Sequence, residues 1–200
     1  IYTRLLTPAD YGVLELLSMT IDLLGTIAGV GLASSVFKFY ADHDPGRDRN
    51  EVVSTAALAV TAIAAFTALA GMVGSGGLAG LLLDTGEGPL YFRIFFLIYL
   101  ANTAETIPLL YMRAVQRSGL FVLATSAKLL LMLTANIYFV VVLRMGVMGV
   151  LAGNLLATTI SAAALSAYLF REVGFAFSPT KLRAMARFGY PLLLVYVGNF

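Results

Sequence analysis

The chain has no cysteine, no tryptophan and one histidine, His43, among its 200 residues. Without cysteine there is no disulfide framework, no thiol catalysis and no cysteine metal site. A single histidine argues against a histidine-rich metal centre and against a Ser-His-Asp triad. Charge is also scarce. Only 12% of the residues are charged, about half the roughly 25% of ordinary soluble domains. So few charges do not cover the surface of a water-soluble globule. That argues against a cytosolic enzyme, a nucleic-acid binder and a disordered chain. No basic n-region followed by a cleavage site is present, so no signal peptide is read. What is abundant is apolar: 60% of residues are hydrophobic and the mean hydropathy is +0.88. The net charge of +2 says less than where the charges fall.

A bilayer core about 30 Å thick takes roughly 20 apolar helical residues to cross. Residues 11–40, 52–83, 89–112, 120–143 and 147–170 each qualify, and 188–200 begins a further run. The runs do not alternate between apolar and polar positions, so helices rather than barrel strands are expected. The expected fold class is all-α, a polytopic transmembrane helix bundle with five complete spans and one partial span. The chain starts at Ile1 and stops at Phe200 within apolar sequence, which reads as a cut inside one membrane helix and again inside another. Basic residues gather in alternate loops: Lys38, Arg47 and Arg49; Arg113 and Arg117; Arg171, Lys181, Arg183 and Arg187. The bias of Lys and Arg toward cytoplasmic loops places these loops inside. From Pro179 onward, Leu182, Met185, Ala186 and Phe188 have helical spacing and predict a short amphipathic helix.

Charges inside spans are the leads to function, because a charge at mid-bilayer costs about 2.5–3.5 kcal/mol even on the gentler scales. Glu15 and Asp22 are two turns apart and share a face. Glu105 and Lys128 lie at matching depth, roughly 10–12 Å from the inner ends of consecutive antiparallel helices. A Glu105–Lys128 pair inside the bundle is therefore expected. Glu15 and Arg93 lie near the outer end, where they are within reach of each other. Snorkelling to the interface is the alternative for Lys128 and Arg93. Asn102, Asn136 and Asn154 are expected to bond between helices, with substrate contact open for them. Gly25, Gly29 and Gly31, and later Gly149 and Gly153, have the small-residue spacing of close helix packing. Residues 74–80 match a dinucleotide fingerprint formally, but the required strand is missing. A loosened helix end is the better reading. Pro108 is expected to kink its helix.

These patterns add up to a resemblance. RLLTPADYG at residues 4–12 resembles the outer loop after the first helix of bacterial polysaccharide flippases. GVGLASSVFKFYA at 29–41 is similar to the end of their second helix. LYMRAVQRSG at 110–119 is similar to the end of the fourth helix and its inner loop. LRMGVMGVLAGN at 143–154 resembles the turn between helices five and six, and LRAMARFGYP at 182–191 the start of helix seven. The family belongs to the multidrug/oligosaccharidyl-lipid/polysaccharide superfamily, with a MATE-like fold of two six-helix lobes.

The resemblance implies that residues 1–170 form the first, truncated lobe, 171–187 a basic cytoplasmic linker between lobes, and 188–200 the start of the second lobe. It also implies transport of polyprenyl-pyrophosphate-linked oligosaccharide across the cytoplasmic membrane by alternating access. Cationic residues of the cavity would meet the pyrophosphate, and the matching candidates are Arg4, Arg93 and Lys128. Asp22, Glu105, Lys128 and Asn136 are the expected cavity or gating residues, with Arg4 and Arg93 at the outer mouth. No catalytic residue, resident cofactor, metal or nucleic-acid partner is expected. A coupling H+ or Na+ is open, as are lipid and polysaccharide polymerase or assembly partners. Two rivals remain: a multidrug/cation antiporter of the same fold, and a non-transporting membrane scaffold of cell-envelope assembly.

Overall fold

A computed structural model describes residues 7–25, 31–42, 46–82 and 88–197. Every regular element among them is helical. The first helix, α1 (Pro8–Gly25), starts on a reciprocal cap. The Asp10 N–H donates to Thr7 Oγ1 at 3.3 Å, and the Thr7 N–H donates to Asp10 Oδ2 at 2.8 Å. Pro8 fills the first helical position, where a missing N–H costs nothing. Then come α2 (Gly31–Asp42), α3 (Arg47–Val73), the short α4 (Ser75–Leu82), α5 (Gly88–Ala114), α6 (Ser118–Asn136), α7 (Gly146–Val173) and α8 (Pro179–Val197). Between α6 and α7 the helix continues as a wider π-helical turn, Ile137–Val142.

Among the described residues, four helices are long and apolar enough to cross a membrane: α3, α5, α6 with its π-helical extension, and α7. They coincide with four of the expected spans. The expected run 52–83 is not one helix. It breaks at Gly74, where α3 ends and α4 begins. The expected span 11–40 falls on α1 and α2, with residues 26–30 outside the described residues. After residue 170, α7 runs to Val173, a connector of residues 174–178 follows, and a helix starts at Pro179 as expected, continuing as α8.

The central helix is α5, packed between α3 and α7. Toward its N-terminal end, Phe92, Phe95, Phe96 and Tyr99 fill the space against Ala64, Ala68 and Leu151. Toward its C-terminal end, Ile107 and Tyr111 meet Val52, Val53, Ala56 and Val60 of α3, Leu169 of α7 and Met185 of α8. Alanines let α3 approach closely. Lipid tails are as apolar as these side chains, so helix association rests on such close packing rather than on escape from water. At the far end of α3, Gly71 leaves the room taken by the Phe96 ring. Helix α6 lies at the periphery, against α7, and turns Leu123, Leu129, Leu130 and Leu133 outward.

One end of the bundle is tied by polar contacts. Arg117 pairs with Glu172 at 2.8 Å and also donates to the Tyr168 hydroxyl. Lys181 at the start of α8 pairs with Glu51 at 2.7 Å and Asp48 at 3.1 Å, both on the first turns of α3. The connector is strapped to α3 as well: the Ala176 and Ser178 N–H groups donate to Ser54 Oγ and Thr55 Oγ1, each at 3.0 Å.

Candidate functional site

A helix crossing lipid satisfies its own backbone, so its polar side chains must find partners on other helices. Three spans meet this demand together. Glu105 on α5 is almost fully buried, with 4% of its surface exposed. Lys128 on α6 reaches across and pairs with Glu105 Oε1. The same ammonium donates to Asn102 Oδ1, one turn earlier on α5, at 3.0 Å. Ser161 on α7 donates its hydroxyl to Glu105 Oε2 at 2.7 Å. Both carboxylate oxygens are thus occupied, and the ammonium spends two of its three N–H donors within the protein.

Depth follows from position. Glu105 lies nine residues before the end of α5 and Lys128 ten after the start of α6. At 1.5 Å per residue both are about 14–15 Å along their helices from the tied end, at matching height within the span. Beside the pair is a cavity of about 230 Å³, lined by Glu105, Lys128, Ser161 and Thr125 among Leu109, Met132 and other apolar side chains. A second cavity of about 170 Å³ lies on the other flank of Lys128, between α6 and α7. The side chain of Lys128 keeps 24% of its surface exposed. The arrangement holds one cation and one anion inside the helix bundle at the edge of open space, with donor capacity left on the cation.

The pair expected between Glu105 and Lys128 is present. Ser161 had no sequence signal, since serine is commonplace among small residues in an apolar helix. The expected contact between Glu15 and Arg93 is not formed. Both side chains are exposed, and Arg93 donates instead to Ser75 Oγ at 3.4 Å, a buried hydroxyl at the start of α4. The helix break at Gly74 brings that hydroxyl within reach. Of the three asparagines, Asn102 bonds between helices. Asn136 is 6% exposed at the junction of α6 and the π-helical turn, yet its Oδ1 has no partner. Its carboxamide lies against Gly153 of α7, as the small-residue spacing of Gly149 and Gly153 anticipated for close packing. Asn154 makes no side-chain hydrogen bond among the described residues. Asn136 is also remote from the Glu105–Lys128 cavities, whose linings do not include it. Asp22 lies on α1, with its side chain outside the described residues, as are Arg4, Gly29 and His43. Pro108 sits within the unbroken helix α5.

The model of one protein family, described as polysaccharide biosynthesis protein, matches residues 1–200. The chain belongs to that family, and its four long apolar helices make it a multi-pass membrane protein. No curated protein and no solved structure matches it.

Proposed function

We propose that this polysaccharide biosynthesis protein moves lipid-linked oligosaccharide across the membrane, as a flippase working by alternating access. The observation that carries this reading is the buried Glu105–Lys128 pair beside a cavity within the spans. A charge buried there is expensive, so its retention argues for use. A polyprenyl-pyrophosphate sugar has an anionic, hydroxyl-rich headgroup that hydrocarbon excludes, while its tail is at home in lipid. Lys128 offers that headgroup a cation, and Ser161 and Thr125 offer hydroxyls. Glu105 holds the ammonium in place when the headgroup is absent. Arg93, exposed near the opposite end of α5, is the outer-mouth contact in this scheme. The basic, tied end faces the cytoplasm by the distribution of its arginines and lysines.

An antiporter of cationic drugs would need a carboxylate free to meet a cation. Both oxygens of Glu105 are taken, by Lys128 and by Ser161, which favours the anionic cargo. The test is reconstitution of the whole protein in vesicles carrying a fluorescent polyprenyl-pyrophosphate oligosaccharide, with transfer scored by access of a membrane-impermeant quencher. Protein-dependent transfer is expected, slowed at least tenfold by Lys128→Ala at unchanged helix content. If the sugar stays on its starting leaflet, the flippase reading fails. Export of cationic drugs instead would establish the antiporter, and activity in neither assay would point to a scaffold.

A further inference from the structure

The connector between α7 and α8 exposes two large aromatic side chains: Phe175 at 76% and Phe177 at 52%. They are not on a slack loop. They alternate with Ala176 and Ser178, whose N–H groups are bonded to the fully buried hydroxyls of Ser54 and Thr55 on α3. The Phe175 ring turns back along the chain and stacks on Phe170, one turn inside α7, with centroids 4.1 Å apart and planes 8° from parallel. Lys181 anchors the far side of the connector to Asp48 and Glu51. The backbone is fixed and the rings are left outside.

Charge surrounds these rings in a definite way. Arg117 and Lys181 have acidic partners. Arg171, Arg183 and Arg187 are exposed and make no ion pair among the described residues. Arg183 and Arg187 are one turn apart on α8, on the side opposite buried Met185. Helix α7 has 28 residues, about 42 Å of helix, some 12 Å more than a hydrocarbon core needs. Its last turns, and the connector that follows, therefore fall at the level of the lipid headgroups. Aromatic rings at the boundary, with arginines level with the phosphates, are the composition of an interfacial anchor.

We infer that the connector is a membrane-surface anchor. Phe175 and Phe177 insert at the boundary of headgroups and acyl chains, and Arg171, Arg183 and Arg187 bind the phosphates of anionic lipids. The partner is the lipid surface itself, argued from charge complementarity and from the level of the segment. The anchor fixes the orientation at which α8 enters the bundle. It does not depend on which cargo the protein carries.

The chain has no tryptophan, so Phe175→Trp and Phe177→Trp each place one fluorophore at the anchor. The whole protein is reconstituted in nanodiscs, with any tryptophan outside residues 1–200 replaced by phenylalanine. Acyl chains brominated near the headgroup should remove most of the emission, and chains brominated near the methyl end much less. Raising the share of anionic lipid should deepen the quenching, and Arg171→Gln, Arg183→Gln and Arg187→Gln together should abolish that dependence. Emission quenched by aqueous iodide and untouched by brominated lipid would overturn the inference. So would emission shielded from both, since protein would then cover the rings. Agreement between the two tryptophan positions guards against a local distortion at either one.

Discussion

Glu105 is held from three sides, by Lys128, by Ser161 and, through the shared ammonium, by Asn102. Removing one partner of a buried pair leaves the other charge uncompensated, at a cost of about 3 kcal/mol. Lys128→Ala and Glu105→Ala should each destabilise the protein by about that much, and the double variant by far less than the sum. Denaturant unfolding in detergent micelles measures all three, and additive losses would mean that the two groups do not interact. Ser161→Ala removes one hydrogen bond to a charged acceptor and should cost about 1.5–2 kcal/mol. The pair was legible in the sequence because depth can be counted from helix ends. Ser161 was not, because facing α7 toward Glu105 depends on the rotation of a helix whose apolar pattern runs all round. Asn136 makes the opposite case. Its buried Oδ1 gives up no partner when it is removed, whereas Gly153→Ala drives a methyl group into its carboxamide. Gly153→Ala should therefore cost about 1–3 kcal/mol. Asn136→Ala in the same chain should recover part of that loss. A full loss in the double variant would show that the Asn136 backbone, 3.0 Å from the added methyl, sets the limit.

At the scale of elements, the expected spans were mostly right and their interruptions mostly invisible. The run 52–83 is uniformly apolar, so only its glycines marked the break between α3 and α4. The π-helical turn at Ile137–Val142 has no glycine or proline to betray it. It follows from how the far end of α6 must reach Gly146: the Leu143 N–H bonds to the Tyr138 carbonyl at 3.1 Å, and Arg144 takes a positive φ of 52° to make the turn. The strap between α3 and α8 was hidden for another reason. Asp48 and Glu51 stand beside Arg47 and Arg49 in the sequence, and only the fold shows that they meet Lys181. Burial works to lower the pKa of that ammonium, but the hydrogen bonds and charges of Glu51 and Asp48 outweigh it and hold the group above its ordinary 10.5. A raised folded-state value means that the strap contributes fully below pH 10.5 and is lost as pH rises through the higher, folded value. Thermal unfolding by circular dichroism should show wild type more stable than Lys181→Gln at pH 8. The gap should close in strongly alkaline buffer. A gap that persists there would assign the effect to packing of the lysine stem.

For the whole molecule, the distribution of charge and the polar contacts agree on one geometry. The start of α3, the end of α5, the start of α6, the end of α7 and the start of α8 carry most of the basic residues. Arg117–Glu172 and Lys181 with its two acids join them directly. The opposite end, where α3 gives way to α4 and α6 turns into α7, has only Arg93 and Arg144 among the described residues. A bundle of antiparallel spans with these contacts must put Ser118 and Thr180 on one side of the membrane and Met145 on the other. All three are exposed, and the chain has no cysteine of its own. Ser118→Cys, Thr180→Cys and Met145→Cys therefore report sidedness without background from residues 1–200. A membrane-impermeant maleimide added outside whole cells should label only Met145→Cys. Inverted membrane vesicles should give the reverse pattern, as the bias of Lys and Arg toward cytoplasmic loops predicts for the basic end. Labelling of Ser118→Cys and Met145→Cys from the same side would break the antiparallel pairing of α6 with α7. The Glu105–Lys128 site would fall with it, since Lys128 reaches Glu105 only if α5 and α6 enter the membrane from one shared end.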